Sequence, residues 1–294
     1  MVVLVTGGSG FIGSHVVDAL KKKGFSVRVF DQVKPAADVE WVKGDLRSKE
    51  DAYNAVHDVE AVFHLAAIAD VNVATTDPHL CVDVNELGTL NLLMACTGAD
   101  VDRFILASTV WVYGRATDVV TEEMPINMPA DIYTKTKIGQ EHLVHAWGKL
   151  HSLRYTILRY DIPYGPRMRS NMAIAAFVRR AMNKEPISVF GDGKQGRCWI
   201  YASDLGEAHT LALKPAADNQ IVNIAGKDFV TISEIVEMLK KKLGDFPVKH
   251  EPVRPGDFAG VHTSIQKAKS LLNWEPAVPF DRGVSMYIES LPGR

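Results

Sequence analysis

The chain opens on Met-Val-Val-Leu-Val-Thr-Gly-Gly-Ser-Gly-Phe-Ile-Gly, a stretch that leaves little structural choice. An apolar run over Val2 to Val5 stops at glycines placed three residues apart, Gly7, Gly10 and Gly13, and an amphipathic segment from Ser14 to Lys23 follows. The pattern reads as a buried strand, a tight turn and a helix, the arrangement that seats a pyrophosphate on a helix N-terminus. Gly7 permits the sharp exit from the strand, Gly10 lets a phosphate approach the backbone, and Gly13 lets the helix pack closely on the sheet. A second apolar run, Phe25 to Phe30, ends at Asp31, eighteen residues beyond Gly13. That is close to the spacing of about 20 at which an acid holds the ribose hydroxyls of a dinucleotide. The same carboxylate would repel the 2′-phosphate of NADP, so NAD is the expected cofactor. The glycines alone would also suit a capping turn followed by a solvated aspartate; the flanking strands are what strengthen the dinucleotide reading.

A length of 294 residues suits one large α/β domain with a lobe, or two domains. Apolar content of 47% and a net charge of −2 are those of an ordinary soluble globule, with no basic excess to suggest nucleic acid. The short lysine triplets Lys21 to Lys23 and Lys240 to Lys242 suit helix C-termini. Cys81, Cys96 and Cys198 are odd in number and widely spaced, which fits a reducing cytoplasm, and no histidine or cysteine spacing suggests a metal. No signal peptide or membrane-spanning segment is expected, since no apolar run approaches the ~18 residues required.

Short β-branched runs alternate with helical patterns through the first half. Strands are predicted over Val2–Thr6, Ser26–Asp31, Val39–Lys43, Ala61–Leu65, Arg103–Ser108 and Tyr155–Arg159, and helices over Phe11–Lys23, Lys49–Val56, Pro78–Thr97 and Ile132–His151. That alternation implies a Rossmann-type, doubly wound parallel sheet in an α/β fold. Past Tyr164-Gly165-Pro166 the chain becomes rich in glycine and proline, with helices expected near Met172–Asn183, Ala202–Leu213, Thr231–Lys242 and Ser264–Leu272. No linker separates the halves, so a smaller, interleaved C-terminal lobe is expected. Residues 1–165 would form the NAD-binding domain, with 198–225 returning to it, and 166–197 with 226–294 the substrate lobe.

Tyr133 and Lys137 lie four apart on the helix that starts near Ile132, hence on one face and one turn apart. A phenol is a poor base at neutral pH, and a nearby ammonium should favour its ionised form and make it able to take or return a hydroxyl proton. Such a pair also occurs by chance on surface helices. Here, however, the strand from Arg103 ends in Ser108-Thr109, hydroxyls at the strand end where parallel sheets place ligands, although a polar cap would look the same.

With these features in order, the chain resembles the extended short-chain dehydrogenase/reductase family, in its NAD-dependent nucleotide-sugar epimerase and dehydratase branch, over essentially its whole length. The resemblance rests on Thr6-Gly7-Gly8-Ser9-Gly10-Phe11-Ile12-Gly13, Gly44-Asp45-Leu46, His64-Leu65-Ala66-Ala67, the segment Ser108 to Gly114, and the Tyr133/Lys137 pair. It implies that Gly7, Gly10, Phe11, Ile12, Gly13, Asp31, Asp45, Leu46, Leu65, Ala66 and Ala67 contact the cofactor, together with Tyr133 and Lys137. It selects Thr109 over Ser108 as the catalytic hydroxyl, four residues before the motif tyrosine Tyr113. Tyr164-Gly165-Pro166-Arg167, Gly191-Asp192-Gly193 with Arg197, and Arg254-Pro255-Gly256-Asp257 resemble the segments that reach the substrate. Arg197 and Arg254 would then bind its diphosphate, for which guanidinium geometry is suited; without the family pattern, surface salt bridges would be favoured for both.

The departures narrow the expectation. Val110 and Trp111 stand where family dehydratases carry acidic residues, and the glutamate of nucleotide-sugar decarboxylases is missing too. Trp111 would wall the sugar or pack in the core. Ile162 replaces a family asparagine that helps hold substrate, and Cys198 and Ser203 stand where acids are common. The resemblance therefore implies an epimerase of a UDP-sugar, inverting C4 through a keto intermediate. Alternatives are a reductase of a nucleotide-linked keto sugar, a dehydratase or decarboxylase, and a non-catalytic dinucleotide-binding protein. It also implies a possible homodimer through the helices near Pro78–Thr97 and Ile132–His151.

Overall fold

The computed structural model describes residues 1–116, 118–129, 131–253 and 260–292. Seven strands form one sheet: β1 (Val2–Thr6), β2 (Ser26–Asp31), β3 (Glu40–Lys43), β4 (Ala61–His64), β5 (Arg103–Thr109), β6 (Arg154–Tyr160) and β7 (Gln220–Ile224). Their order is β7-β6-β5-β4-β1-β2-β3, and every neighbouring pair is parallel. The Rossmann-type architecture is therefore present, one strand wider than the sequence pattern suggested. β7 escaped notice because Gln220-Ile-Val-Asn-Ile is short and broken by Asn223.

Both faces of the sheet are covered, which is why its strands read as continuous apolar runs. Alternation sorts each strand between the faces. Val3, Val5 and Val29 pack with Val16, Val17 and Leu20 of the first helix, Phe11–Lys22. Leu4, Phe30 and Val62 pack with Ala52, Ala55 and Val56 of the helix Lys49–Val56 and with Leu92 and Leu93 of Gly88–Gly98. The expected single helix over Pro78–Thr97 is three pieces, Pro78–Val82, a π turn Asp83–Leu87, and Gly88–Gly98. Periodicity cannot foresee this, because one residue inserted into the ladder barely alters the apolar spacing; such π insertions often lie near functional sites.

The lobe has its own core. Ile174, Ala175 and Val178 from Ala173–Met182, Ile235, Val236 and Leu239 from Ile232–Leu243, and Val284 and Ile288 from Phe280–Glu289 pack around Trp199 and Tyr201. The helix Ile232–Leu243 begins with a full capping box, in which Thr231 and Glu234 satisfy each other's backbone donors. Residues 264–274 differ from the expected division: Ile265, Ala268, Leu272 and Trp274 join the core beneath the sheet, not that of the lobe. Among the described residues no helix is long and apolar enough to cross a membrane.

Strand order reverses between β1 and β4. The two strands stay paired to their carboxyl ends, Thr6 beside His64, but the helices that follow them pack on opposite faces of the sheet, and the crevice between those connections is where sheets of this kind bind ligands.

Candidate active site

The glycine turn fills that crevice. Gly7 sits at φ +69°, and a Cβ there would come 2.7 Å from the Ala66 nitrogen. A Cβ on Gly13 would lie 2.0 Å from the Gly7 carbonyl oxygen, so the first helix is in backbone contact with the turn. Gly10 is different. Its Cβ would meet only the Gly7 oxygen, at 3.2 Å, and it caps the first helix without a side-chain hydrogen bond. The helix thus presents uncapped N–H groups and an open approach, which is what a diphosphate requires. Phe11 faces the lobe core and meets His15 edge-on, while Ile12 packs on the core beneath the sheet.

At the end of β2 the Asp31 carboxylate accepts from Ser9 N at 3.1 Å and from Val33 N at 3.0 Å, tying the glycine turn to the next strand end. Asp45 is paired with Arg47, whose hydrogen bonds hold its carboxyl below the usual range, and it accepts from Gln32 Nε2 at 3.1 Å. Leu46 is buried and its carbonyl accepts from Asn91. These residues and the dinucleotide turn lie along one edge of the crevice, the donor and acceptor set that an adenosine diphosphate end calls for. The residues present fit NAD.

Leu65, Ala66 and Ala67 follow β4, and Thr6 Oγ1 accepts from Leu65 N at 3.2 Å and Ala66 N at 3.1 Å. With its acceptor sites filled, Thr6 donates to His64 Nδ1 at 2.8 Å, which leaves Nε2–H of His64 to donate to Thr89 Oγ1, also at 2.8 Å. Burial, with the Lys137 charge second, pushes this imidazole down to about 3, so it stays neutral. Burial likewise takes His209 down to about 4. Between these values and 6.5 the unfolded chain binds protons that the folded chain refuses, so stability rises with pH across that window. Asp161, raised by burial to about 6, and Asp204, also raised by burial, work the other way, but His15 is lowered by burial too, and the three histidines outweigh the two acids. Denaturant midpoints should therefore fall steadily as pH drops from 6.5 toward 4; a flat profile would contradict these buried neutral imidazoles.

Thr109 ends β5 and is buried; its Oγ1 accepts from Trp111 N at 3.2 Å, leaving its own proton to donate. Ser108, one residue earlier, points to the other side, where it donates to Glu141. The long helix Ile132–His151 is capped by Asp131, which accepts from Thr134 N at 2.7 Å. Lys137 is 4% exposed and its Nζ donates to the Ala107 carbonyl at 2.9 Å, fastening the helix to β5 two residues before Thr109. The ammonium lies 5.9 Å from the centre of the Tyr133 ring, and Trp111 meets that ring edge-on with centres 6.4 Å apart. Thr109, Tyr133, Lys137 and Trp111 are thus brought together at the mouth of the crevice.

The electrostatics correct one expectation. Burial pushes the Tyr133 phenol well above its ordinary value, with Asp131 adding to the rise, and burial takes Lys137 down to about 8. The lysine does not by itself make Tyr133 a base.

Ile162 packs against the lobe core. The neighbouring Asp161 is turned inward, where it accepts from Cys198 N at 3.2 Å and Thr263 Oγ1 at 2.8 Å, so it does not replace the missing asparagine. Arg197 lies on the short strand Gly196–Arg197 and donates to the Gly196 carbonyl. Arg254 lies outside the described residues. Sequence reasoning missed Asn85, which the π turn aims at the loop after β4: its side chain accepts from Ile68 N at 2.8 Å and donates to Ile68 O at 3.1 Å and Thr136 Oγ1 at 2.9 Å. No spacing in the sequence marks it.

The chain is similar to known proteins over nearly its whole length. The chain is 33% identical to a UDP-glucuronate 4-epimerase of Thermodesulfobacterium geofontis, over 96% of its own length and 93% of the relative's. Its fold is similar to that of Thermotoga maritima UDP-glucose 4-epimerase with UDP-glucose, with a TM-score of 0.92, 32% identity, and 99% and 98% of the two chains covered. It is equally similar, with the same TM-score of 0.92, identity of 32% and coverage of 99% and 98%, to Bacillus cereus UDP-glucuronic acid 4-epimerase in complex with UDP-glucuronic acid and NAD. The model of the NAD dependent epimerase/dehydratase family matches residues 3–225, and the chain belongs to that family.

Proposed function

We propose that the protein is a UDP-sugar 4-epimerase that keeps its NAD and recycles it in place. The observation that carries this reading is the convergence of Thr109, Tyr133 and Lys137 at the crevice mouth, beside a glycine turn and Asp31 suited to NAD. Bound NAD supplies a hydride acceptor and donor, and its cationic ring favours the phenolate. Tyr133 takes the proton of the C4 hydroxyl through its phenolic oxygen, Thr109 donates a hydrogen bond to the same sugar oxygen, and Lys137 supplies the compensating charge. The keto sugar turns over in the pocket, C4 takes hydride back on its other face, and Tyr133 returns the proton to the C4 oxygen.

Arg197, with Arg254, holds the diphosphate as a pivot, and the lobe of 166–197 and 226–294, apart from the stretch 264–274 that packs beneath the sheet, closes over the sugar. Trp111 forms an apolar wall beside Tyr133. A homodimer would pair the helices Gly88–Gly98 and Ile132–His151, and the cytoplasm is the expected compartment. The three relatives named above, each binding or acting on a UDP-sugar, support the choice of uridine.

The test is incubation of the purified protein, without added cofactor, with a panel of UDP-, dTDP- and GDP-sugars, products being read by NMR. The expected product is the C4 epimer of a UDP-sugar. Elimination of water, loss of carbon dioxide, or turnover only with added NADPH would replace the proposal.

A second prediction concerns Asp31. Asp31→Ala should lower NAD retention about tenfold or more, since it removes both the ribose acceptor and the tie to Ser9 N and Val33 N. Cofactor released on denaturation measures it, and an undiminished NAD content would remove Asp31 from the site.

A further inference from the structure

A buried ionic cluster lies directly behind Lys137. Arg159 of β6 and Glu141 of the long helix are each 3% exposed and meet in a two-pronged pair, Nε to Oε1 at 3.0 Å and Nη2 to Oε2 at 2.6 Å. Ser108 donates to the same Glu141 carboxylate. The third guanidinium nitrogen, Nη1, donates to Tyr113 Oη at 3.0 Å, with the guanidinium over that ring at 4.9 Å, and Tyr113 donates to Asn223 Oδ1 at 2.7 Å. Arg159 and Ser108 thus clamp one carboxylate directly, and Tyr113 and Asn223 brace the guanidinium from behind.

Glu141 follows Lys137 by four residues, the spacing at which a lysine and a glutamate on one helix face pair with each other. Instead the carboxylate is turned to Arg159 and the lysine donates to the Ala107 carbonyl. A buried carboxylate cannot remain unpaired, so whichever cation holds it decides what the other is free to do. Two buried cations share this one acid, and a phenolate at Tyr133 is the anion that would balance them.

We propose that Arg159 is a positioning residue for the reaction: by holding Glu141 in a two-pronged pair it keeps that carboxylate off Lys137 and leaves the lysine charge to Tyr133. This rests on the roles given above to Tyr133 and Lys137. The titratable and charged groups around Lys137 are His64 of β4, kept neutral, Cys81 of Pro78–Val82, Tyr133 and Glu141 of its own helix, and Arg159 behind Glu141. Of these only Glu141 carries a negative charge at neutral pH, and it raises Lys137 against the lowering effect of burial.

The test reads Lys137 directly. In protein carrying 13C-labelled lysine, the Lys137 Cε signal, assigned with Lys137→Met, is titrated in wild type, Arg159→Gln and Glu141→Gln. Arg159→Gln should move the Lys137 titration up, because the freed carboxylate turns to it, and Glu141→Gln should move it down, each by about one pH unit. The alkaline limb of kcat should move in the same two directions with KM little changed. If both variants lose kcat while the Lys137 titration stays at its wild-type position, the cluster is structural support only and the proposal is overturned. Should a single variant fail to fold, Arg159→Met with Glu141→Met removes both charges together; the Lys137 titration should then move down as in Glu141→Gln, and an unmoved titration in the folded double variant would overturn the proposal. The NMR titration does not depend on turnover, so failure of the epimerase reading would be seen separately, as absence of product with wild type.

Discussion

Tyr133→Phe should lower kcat by about a thousandfold, within the range of 10²–10⁴ that one positioned proton-transfer group supplies, while leaving fold and NAD content unchanged. The reason lies in what phenylalanine keeps. It retains the ring, and with it the edge contact to Trp111 at 6.4 Å and the packing next to Lys137. Only the oxygen is lost, and in the proposed reaction that oxygen is the one atom that carries the proton. Burial holds the Tyr133 phenol above its ordinary value, so a protein without cofactor has no ready base. The ionised form becomes accessible when a cationic ring stands beside it and Lys137 is charged. The kcat of wild type should accordingly decline as pH rises through the Lys137 value of about 8, and the decline should vanish with the residual activity in Tyr133→Phe. Thermal unfolding, NAD released on denaturation and kcat are the three measurements. Wild-type turnover in Tyr133→Phe would remove the phenol from the mechanism.

The parts of this site that were legible in the sequence share one property: they are encoded locally. The glycine turn, the strand after it and the one-turn spacing of Tyr133 and Lys137 are short patterns whose geometry follows from chain stereochemistry. The sheet was legible for the same reason, apart from β7, because strands buried on both faces announce themselves as apolar runs and Gln220–Ile224 is broken by Asn223. The parts that were not legible depend on residues joined only by topology. Glu141 follows Lys137 closely, but nothing in the chain says that Arg159 and Ser108 arrive beside it from two neighbouring strands. Asn85 is reached only because a π turn rotates it toward Ile68 and Thr136. The protonation of Tyr133 was misjudged on the same ground: the attraction of a lysine four residues away is a sequence-level argument, whereas burial is a property of the folded chain, and burial is the larger effect.

Gly13→Ala should be the most damaging single-methyl change near the cofactor turn, costing about 3 kcal/mol and roughly 8 °C in Tm along with most of the NAD. The added Cβ would lie 2.0 Å from the Gly7 oxygen and 2.7 Å from the Gly7 carbon, and both are backbone atoms. Neither can rotate away. Gly7 itself is held at φ +69° with Ala66 N close above it, so the turn cannot retreat, and the first helix must move instead. That helix is in turn pressed on Ala202–Leu211, where a Cβ on Gly206 would come 2.7 Å from the His15 oxygen. Displacement on one side therefore meets backbone on the other. Gly10→Ala separates the two consequences. Its Cβ would meet only the Gly7 oxygen at 3.2 Å, a contact that a few tenths of an ångström relieve, so the fold should keep nearly its full stability. Yet the methyl would stand in front of the uncapped helix end, where a diphosphate has to sit, and NAD retention should fall sharply. Thermal unfolding and bound NAD, measured for both variants, should thus part company: both properties fall in Gly13→Ala, and only the second in Gly10→Ala. Equal Tm losses in the two variants would mean that Gly10 is required for packing, and the open cradle would then need another explanation.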